Sequence, residues 1–358
     1  RAAGQSILLS IGIAVLLTAV SEALLWPTLL LLQSPENTIQ LTCDYLRIIF
    51  AGVSFVMAFN LLSGFLRSLG DSRTPLYAMT SAALCNIALD ILFVAVFRWG
   101  VFGVAIATVI SQCISSVICL LALRKMPIMA LSRQDLKADP PMMKRLLGLG
   151  VPVAFQNLII SIGGLALQRV VNGFGFVFMA GINAATRLCG LMELAGTSLA
   201  SAMGTFAGQN LGARKLDRVK LGLRRSAQIA VGMALIVALI LVLFGRPLLS
   251  LFINDEPELV EQVLTYGCRY LNVMSAGLFM LYLLFVYRST LQGLGDTVIP
   301  MISGFVELAM RIGCVTILPM FLGEWGVYIA EISAWIGAGA FLMWGYYRRI
   351  HILEKEMG

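Results

Sequence analysis

The chain has 358 residues, of which 59% are hydrophobic and only 13% are charged. Soluble domains carry roughly 25% charged residues, so this composition, with a mean hydropathy of +0.89, excludes an ordinary soluble protein. The net charge of +7 comes from basic residues that lie between apolar runs. Such spacing is not the clustered basic and aromatic surface typical of nucleic-acid binding. We therefore expect a protein of the lipid bilayer with no nucleic-acid partner.

Ten apolar stretches of roughly 20 residues predict transmembrane helices, because a spanning backbone must satisfy its hydrogen bonds internally. The predicted spans are Ser6–Leu31, Tyr45–Leu66, Leu76–Phe97, Val101–Leu123, Leu147–Val170, Val177–Phe206, Ala227–Phe244, Val263–Leu291, Val298–Phe321 and Val327–Tyr346. The sequence thus predicts an all-α integral membrane protein with ten transmembrane helices.

Lysine and arginine accumulate in cytoplasmic loops, so charge predicts orientation. Alternate connections and span ends are basic, at Arg1, Arg67, Arg73, Arg124, Lys125, Arg133, Lys137, Lys144, Arg145, Arg214, Lys215, Arg218, Lys220, Arg224, Arg225, Arg288, Arg348, Arg349 and Lys355. The other connections are short or acidic, such as residues 33–40 and 255–258. Both termini are therefore predicted to be cytoplasmic, in a plasma or inner membrane.

A repeat organises the chain. The segment LRSLGDSRTP (66–75) recurs as LQGLGDTVIP (291–300), 225 residues further on, and GVAIA (103–107) returns as GVYIA (326–330). The first four spans thus match the last four, whereas the middle pair has no upstream partner. Parallel repeats of this kind build transporters. We expect residues 1–124 to be an incomplete N-lobe, 125–145 a cytoplasmic linker, 146–347 a C-lobe and 348–358 a cytoplasmic tail. The alternative is a ten-helix protein without its first hairpin.

Four motifs in order carry a resemblance to a known family. They are LRSLGDSRTP, CNIALD (85–90), GVFGVAIATVISQ (100–112) and AGQNLGARKLDRVK (207–220). The sequence resembles the multidrug and toxic compound extrusion (MATE) family of cation-coupled antiporters nearly end to end. The resemblance implies two parallel six-helix lobes, here represented by helices 3 to 12 of an N-terminally truncated chain. It also implies a monomer without enzyme activity or cofactor, which exports lipophilic, often cationic drugs or toxic compounds by alternating access in exchange for protons or sodium.

Ionisable residues inside spans cost at least ~2.5 kcal/mol at the bilayer centre, so each is a functional candidate. Asn86 and Asp90 are four residues apart and share a helix face, and Thr108 lies at a similar depth of roughly 10 Å. Their carboxylate, amide and hydroxyl oxygens suit sodium, the one metal ion considered, and the carboxylate can hold a proton instead. By resemblance these positions match the N-lobe cation site of one MATE branch, although that site also uses an aspartate on helix 1 that this chain lacks. A purely structural Asp90, capped by its neighbours, is the alternative.

The C-lobe candidates are less specific. Glu307 and Arg311 are four residues apart, which predicts a structural ion pair within one helix. The remaining polar residues inside spans are candidates for lining the substrate cavity: Gln156, Asn157, Glu193 and Glu331. Glu331 could instead join the Glu307 pair. Another MATE branch has acidic cation ligands on helices 7 and 10, and their absence here favours coupling through the N-lobe.

A lipid-linked oligosaccharide or lipid flippase of related fold is the alternative function. Such proteins often need a strongly basic cavity, and few arginines lie deep in these spans, only Arg187 and Arg311 being predicted there. An intramembrane enzyme would need a nucleophile with a base, or facing metal ligands, and the sequence offers neither. These observations favour the antiporter.

Overall fold

The computed structural model describes residues 1–31, 36–126, 132, 134–253 and 257–357. Ten helical spans in this part of the chain are long and apolar enough to cross a membrane, and no strand is found there. The predicted all-α membrane fold with ten spans is therefore confirmed. Arg133 and the acidic residues 255–256 of the predicted connections lie outside the described residues.

The chain divides into two compact units, of which the first is Arg1–Leu147. Its helices are α1 (Ala2–Leu31), α2 (Glu36–Ala51), α3 (Val53–Ser68), α4 (Arg73–Asp90), a π-helical segment (Ile91–Val96) and α5 (Gly100–Arg124). Helices α2 and α3 form one predicted span that is interrupted at Gly52. A Cβ atom on Gly52 would lie 2.5 Å from Cγ2 of Val109 on α5. The missing side chain therefore lets the interrupted span approach α5 closely.

The second unit is Gly148–Gly358. Helix α6 (Pro140–Gly173) leads into it, followed by α7 (Phe176–Gly212), α8 (Leu216–Ser250), α9 (Pro257–Gly293), α10 (Val298–Ile317), the short α11 (Pro319–Leu322) and α12 (Glu324–Met357). Helix α9 is central, because α7, α8 and α12 all pack against it. Residues 348–357, predicted as a tail, continue α12 as helix.

The two copies of the sequence repeat form the same turn between two helices. Gly70 (φ 93°) and Gly295 (φ 75°) both take the left-handed backbone conformation that ends a helix and favours glycine. The N–H of Asp71 donates to the Leu66 carbonyl at 2.9 Å, and that of Asp296 to the Leu291 carbonyl at 3.0 Å. Each turn thus closes the preceding helix in the same way, at the predicted offset.

The aspartate of each turn then caps the following helix. The Asp71 carboxylate accepts from the Thr74 N–H at 3.0 Å and from the Thr74 hydroxyl at 2.6 Å. The Asp296 carboxylate accepts from the Ile299 N–H at 3.1 Å. The hydrogen bond from the Thr74 hydroxyl, followed by that from its N–H, lowers the pKa of Asp71 below 3.8. The charged form of this aspartate therefore stabilises the start of α4.

Candidate functional site

A polar cavity of about 330 Å³ lies between α3, α4 and α5 in the first unit. Asn86 and Thr108 both line it, as do Asn60, Ser111, Gln112 and Ser115. On α5 the polar positions 108, 111, 112 and 115 follow helical spacing, so they form one stripe along the helix. This spacing can be read from the sequence, although Thr108 was the only one of the four residues predicted as a cation ligand.

Asp90 is the last residue of α4 and is half-buried. Its Oδ1 atom and Nδ2 of Asn86 are buried without a hydrogen-bond partner among the described residues. An unsatisfied buried polar atom costs about 1–3 kcal/mol, more for a charged group, so two of them one helical turn apart require an explanation. The described lining of the cavity includes Asn86 and Thr108 but not Asp90. The three predicted ligands thus share a region, with Asp90 one turn beyond the cavity wall.

The π-helical segment begins directly after Asp90. Its wider turn is seen in the hydrogen bond from the Phe97 N–H to the Leu92 carbonyl, five residues back, at 3.0 Å. Single-turn π segments within helices occur frequently at functional sites. This segment was not predicted from the sequence, and it follows Asp90 directly.

Close packing of α5 on the π-helical segment aligns the predicted ligands. A Cβ atom on Gly103 would lie 2.8 Å from Cβ of Phe93, so the two antiparallel helices touch at this point. Asp90 lies three residues before Phe93, and position 106 lies three residues after Gly103. Because the two helices are antiparallel and each residue advances about 1.5 Å, Asp90 and position 106 lie at about the same depth. Thr108 therefore lies between Asn86 and Asp90 in depth.

The second unit contains a buried charge cluster of Arg288 on α9, Glu307 and Arg311 on α10, and Glu331 on α12. Nη2 of Arg311 lies 3.0 Å from Glu307 Oε1 and 2.9 Å from Glu331 Oε2, and Nη2 of Arg288 lies 2.9 Å from Glu307 Oε2. The four side chains are at most 12% exposed. Two positive and two negative charges cancel within the cluster. Glu331 thus joins Glu307 and Arg311, which was the alternative to a role in lining the substrate cavity.

Arg288 was assigned from the sequence to the basic end of a span. The structure places it within α9, five residues before the helix ends, with its guanidinium buried against Glu307. Burial of an arginine in a span needs a partner, and the partner comes from a different helix. Its position near the end of a span agrees with the sequence, whereas its burial against Glu307 was not predicted.

The other cavity candidates separate by exposure. Gln156 is fully buried and accepts a hydrogen bond from Nε2 of Gln292 at 3.2 Å, while Asn157 is exposed. Adjacent helical residues point about 100° apart, which explains the difference. Glu193 is half-buried on α7 and makes no ion pair within the described part of the chain. Arg187, predicted to be deep, is exposed.

Glu22, another acidic residue inside a predicted span, has a partner on the neighbouring helix. Glu22 on α1 accepts a hydrogen bond from Nε of Arg47 on α2 at 2.8 Å. Both side chains are about half exposed, at 46% and 54%. Their charges compensate each other, so Glu22 is not a candidate for an uncompensated cation ligand.

Comparison with known proteins identifies the family. The MatE family model matches residues 1–92 and 152–317. The probable multidrug resistance protein YpnP of Bacillus subtilis is 30% identical over 348 residues, covering 95% of this chain and 75% of YpnP. The probable multidrug resistance protein YoeA of the same organism is 27% identical, and the match covers 96% of this chain and 76% of YoeA.

Solved structures agree on the fold. A MATE protein in the bent conformation superposes with a TM-score of 0.90 at 22% identity, over 99% of this chain and 79% of that one. An outward-facing multidrug resistance MATE family transporter gives a TM-score of 0.91 at 22% identity, over 98% and 78%. The predicted resemblance is thereby confirmed, and the chain belongs to the MatE family of multidrug efflux transporters, multi-pass proteins of the membrane.

Proposed function

We propose that the protein is an antiporter that exchanges a proton or a sodium ion for an organic compound, with the cation bound at Asp90, Asn86 and Thr108. The observation that carries this proposal is the pair of buried polar atoms on Asp90 and Asn86, which have no hydrogen-bond partner among the described residues of the chain. A carboxylate that forms no ion pair within this part of the chain can take a cation from solution.

The chemistry of the three side chains suits either ion. Oγ1 of Thr108 donates its proton to the Val104 carbonyl at 2.9 Å, so its lone pairs stay available to a cation. The Asn86 amide presents its oxygen after a half turn about its last bond. Together with the Asp90 carboxylate these groups form a hard oxygen site. The cavity brings water to Asn86 and Thr108, one helical turn from Asp90.

The coupling is energetically sufficient. One charge moved through a membrane potential of 100 mV releases about 2.3 kcal/mol. At about 1.4 kcal/mol per factor of ten, this corresponds to an accumulation ratio of about 50-fold. A single cation per cycle therefore supports useful export of an uncharged substrate. Exchange for a monovalent cationic substrate moves no net charge, so the concentration gradient of the coupling ion drives it.

We propose lipophilic, often cationic compounds as the substrates. Relatives named for multidrug resistance or multidrug export, including MepA of Staphylococcus aureus at 23% identity, support this class. A relative from Shewanella oneidensis, 27% identical over 277 residues, is named a FAD transporter, so anionic cargo also occurs among the relatives. The buried charge cluster has no net charge to offer a pyrophosphate head, which argues against the flippase alternative. The basic connections support cytoplasmic termini in a plasma membrane.

The test follows efflux of a cationic fluorescent dye from energised cells that express the full-length gene. Wild type, Asp90→Asn and the control Glu261→Gln, whose carboxylate is exposed, are compared while the proton and sodium gradients are collapsed separately. We expect Asp90→Asn to lose at least tenfold of the coupled efflux and the control to retain it, with the effective gradient identifying the ion. Equal efflux from Asp90→Asn and wild type would contradict the proposal. Export of no dye by wild type would favour the flippase.

A further inference from the structure

The second unit contains a cleft of about 980 Å³ between α8, α9 and α12. Helices α8 and α12 both pack against α9, which therefore forms the floor. This cleft lies on other helices than the cation site and shares no residue with the charge cluster. Its volume is at the upper end of the range of small-molecule sites.

The wall formed by α8 changes from basic to apolar along its length. Lys220, Arg224, Ala227 and Val231 all line the cleft, and their spacing of three or four residues places them on one helix face. At 1.5 Å per residue, the 11 residues from Lys220 to Val231 cover about 16 Å. Leu283 on α9 continues the apolar part. The cleft thus has a cationic end and an apolar body, the pattern of an amphiphile with an anionic head.

The charged side chains that line the polar end, Lys220, Arg224 and Glu354, sum to one positive charge. Lys220 forms an ion pair with Glu354, which links α8 to α12, and a weaker one with Asp217 at 3.4 Å. Arg224 is exposed and makes no ion pair within the described part of the chain. The carboxylate of Glu354 is already engaged by Lys220. The free charge offered to a ligand is therefore positive.

The wall formed by α12 supplies a hydrogen-bond donor and aromatic surface. Tyr346 is only 3% exposed, lines the cleft, and has a hydroxyl without a partner among the described residues. Its ring meets those of Tyr287 at 5.6 Å and Tyr347 at 5.4 Å between centroids. Tyrosines concentrate at the level of the lipid headgroups. The buried hydroxyl and Arg224, which makes no ion pair within the described residues, line the same cleft, and such donors suit a phosphate or an ester oxygen.

We propose that this cleft binds one anionic glycerophospholipid. Its phosphate lies at Arg224 and accepts from the Tyr346 hydroxyl, and an acyl chain runs along Ala227, Val231 and Leu283. Basic recesses between transmembrane helices at the cytoplasmic end bind anionic headgroups. A zwitterionic lipid should bind more weakly. Its amine would be repelled by Arg224, and the carboxylate of Glu354 is already paired with Lys220.

The test uses the purified, delipidated full-length protein and native mass spectrometry with added phosphatidylglycerol. Arg224→Ala removes the free cation, and Ala227→Trp fills the apolar part. Arg225→Ala is the matched control, because Arg225 neighbours Arg224, bonds to Gln228 at 3.4 Å and does not line the cleft. We expect Arg224→Ala to bind phosphatidylglycerol about fivefold more weakly, the effect of one basic residue at an anionic surface. Ala227→Trp should lose more, and Arg225→Ala should match wild type.

The alternatives give distinct results. Equal losses of affinity in Arg224→Ala and Arg225→Ala would show that diffuse positive charge, and not a defined site, attracts the lipid. Normal binding by Ala227→Trp would show that the acyl chain does not lie in the cleft. Equal affinity for phosphatidylethanolamine would contradict the headgroup selectivity. Displacement of the lipid by millimolar inorganic phosphate would indicate a phosphate site. Arg224 is exposed and makes no ion pair with the residues that the structure describes, so its variant should fold. The comparison of this variant across the two lipids decides the question even if Ala227→Trp cannot be purified.

Discussion

Removing one carboxylate from the buried charge cluster tests whether charge balance stabilises the second unit. Glu331→Gln removes the negative charge of a carboxylate that accepts two hydrogen bonds from Arg311, at 3.1 and 2.9 Å, and keeps an amide oxygen as an acceptor. Both arginines then share Glu307, and the cluster carries a net charge of +1. Breaking one partner of a buried pair costs about 3–5 kcal/mol, since the remaining charge is uncompensated. The melting midpoint in detergent should fall on the order of 10 °C.

A matched pair at the surface provides the control. Arg246 and Glu261 approach to 2.6 Å, but their side chains are 56% and 61% exposed. Exposed pairs contribute about 0–1 kcal/mol, so Glu261→Gln should leave the midpoint nearly unchanged. All variants are heated at one rate, because unfolding of membrane proteins is compared kinetically.

A double variant separates charge balance from lost hydrogen bonds. Arg311→Met combined with Glu331→Gln leaves the ion pair of Arg288 and Glu307, which are 2.9 Å apart and whose charges cancel. The double variant should therefore be more stable than Glu331→Gln alone. A double variant that is less stable than either single variant, or a Glu331→Gln midpoint equal to that of Glu261→Gln, would refute the reasoning.

Two further predictions concern the helix junctions. Asp71→Ala should lose about 1 kcal/mol of capping at neutral pH. Because the folded pKa of Asp71 lies below its unfolded value, the contribution of its charge is present above about pH 4 and disappears as the pH falls through the folded pKa. The midpoint difference from wild type should shrink between pH 5 and pH 3, and a constant difference would contradict the assignment. Gly293→Ala should destabilise by about 1–3 kcal/mol, because its Cβ would overlap the Gly204 carbonyl, whereas Gly232→Ala, with open space around it, should not.

Hydropathy predicted the spans because each needs only its own residues to be apolar. The interruption of a span at Gly52 and the π-helical segment were not predicted, and both have their cause on a different helix. Val109 and Gly103 of α5 pack against these two irregularities. A contact with a residue on another helix leaves no periodic signal in the local sequence.

The same distinction applies to the polar residues. The depth of Thr108 could be counted from the span ends, and it lies with Asn86 in one cavity. The choice between the adjacent Gln156 and Asn157 depends on which face packs against other helices, which hydropathy does not reveal. The burial of Arg288 could not be predicted, because its partner Glu307 lies 19 residues away on the next helix.

The π-helical segment makes the number of residues after Asp90 more important than their identity. A π turn accommodates one residue more than an α turn, and each residue of an α-helix turns the chain by about 100°. Deleting a single residue from 91–96 would therefore restore regular α-helix and leave Asp90 in nearly the same direction relative to the turn at Arg98 (φ 59°), because the wider turn is what accommodates the extra residue. The apolar side chains of the segment can be exchanged for one another and a one-residue deletion should be tolerated, whereas a further insertion would rotate Asp90 relative to Arg98.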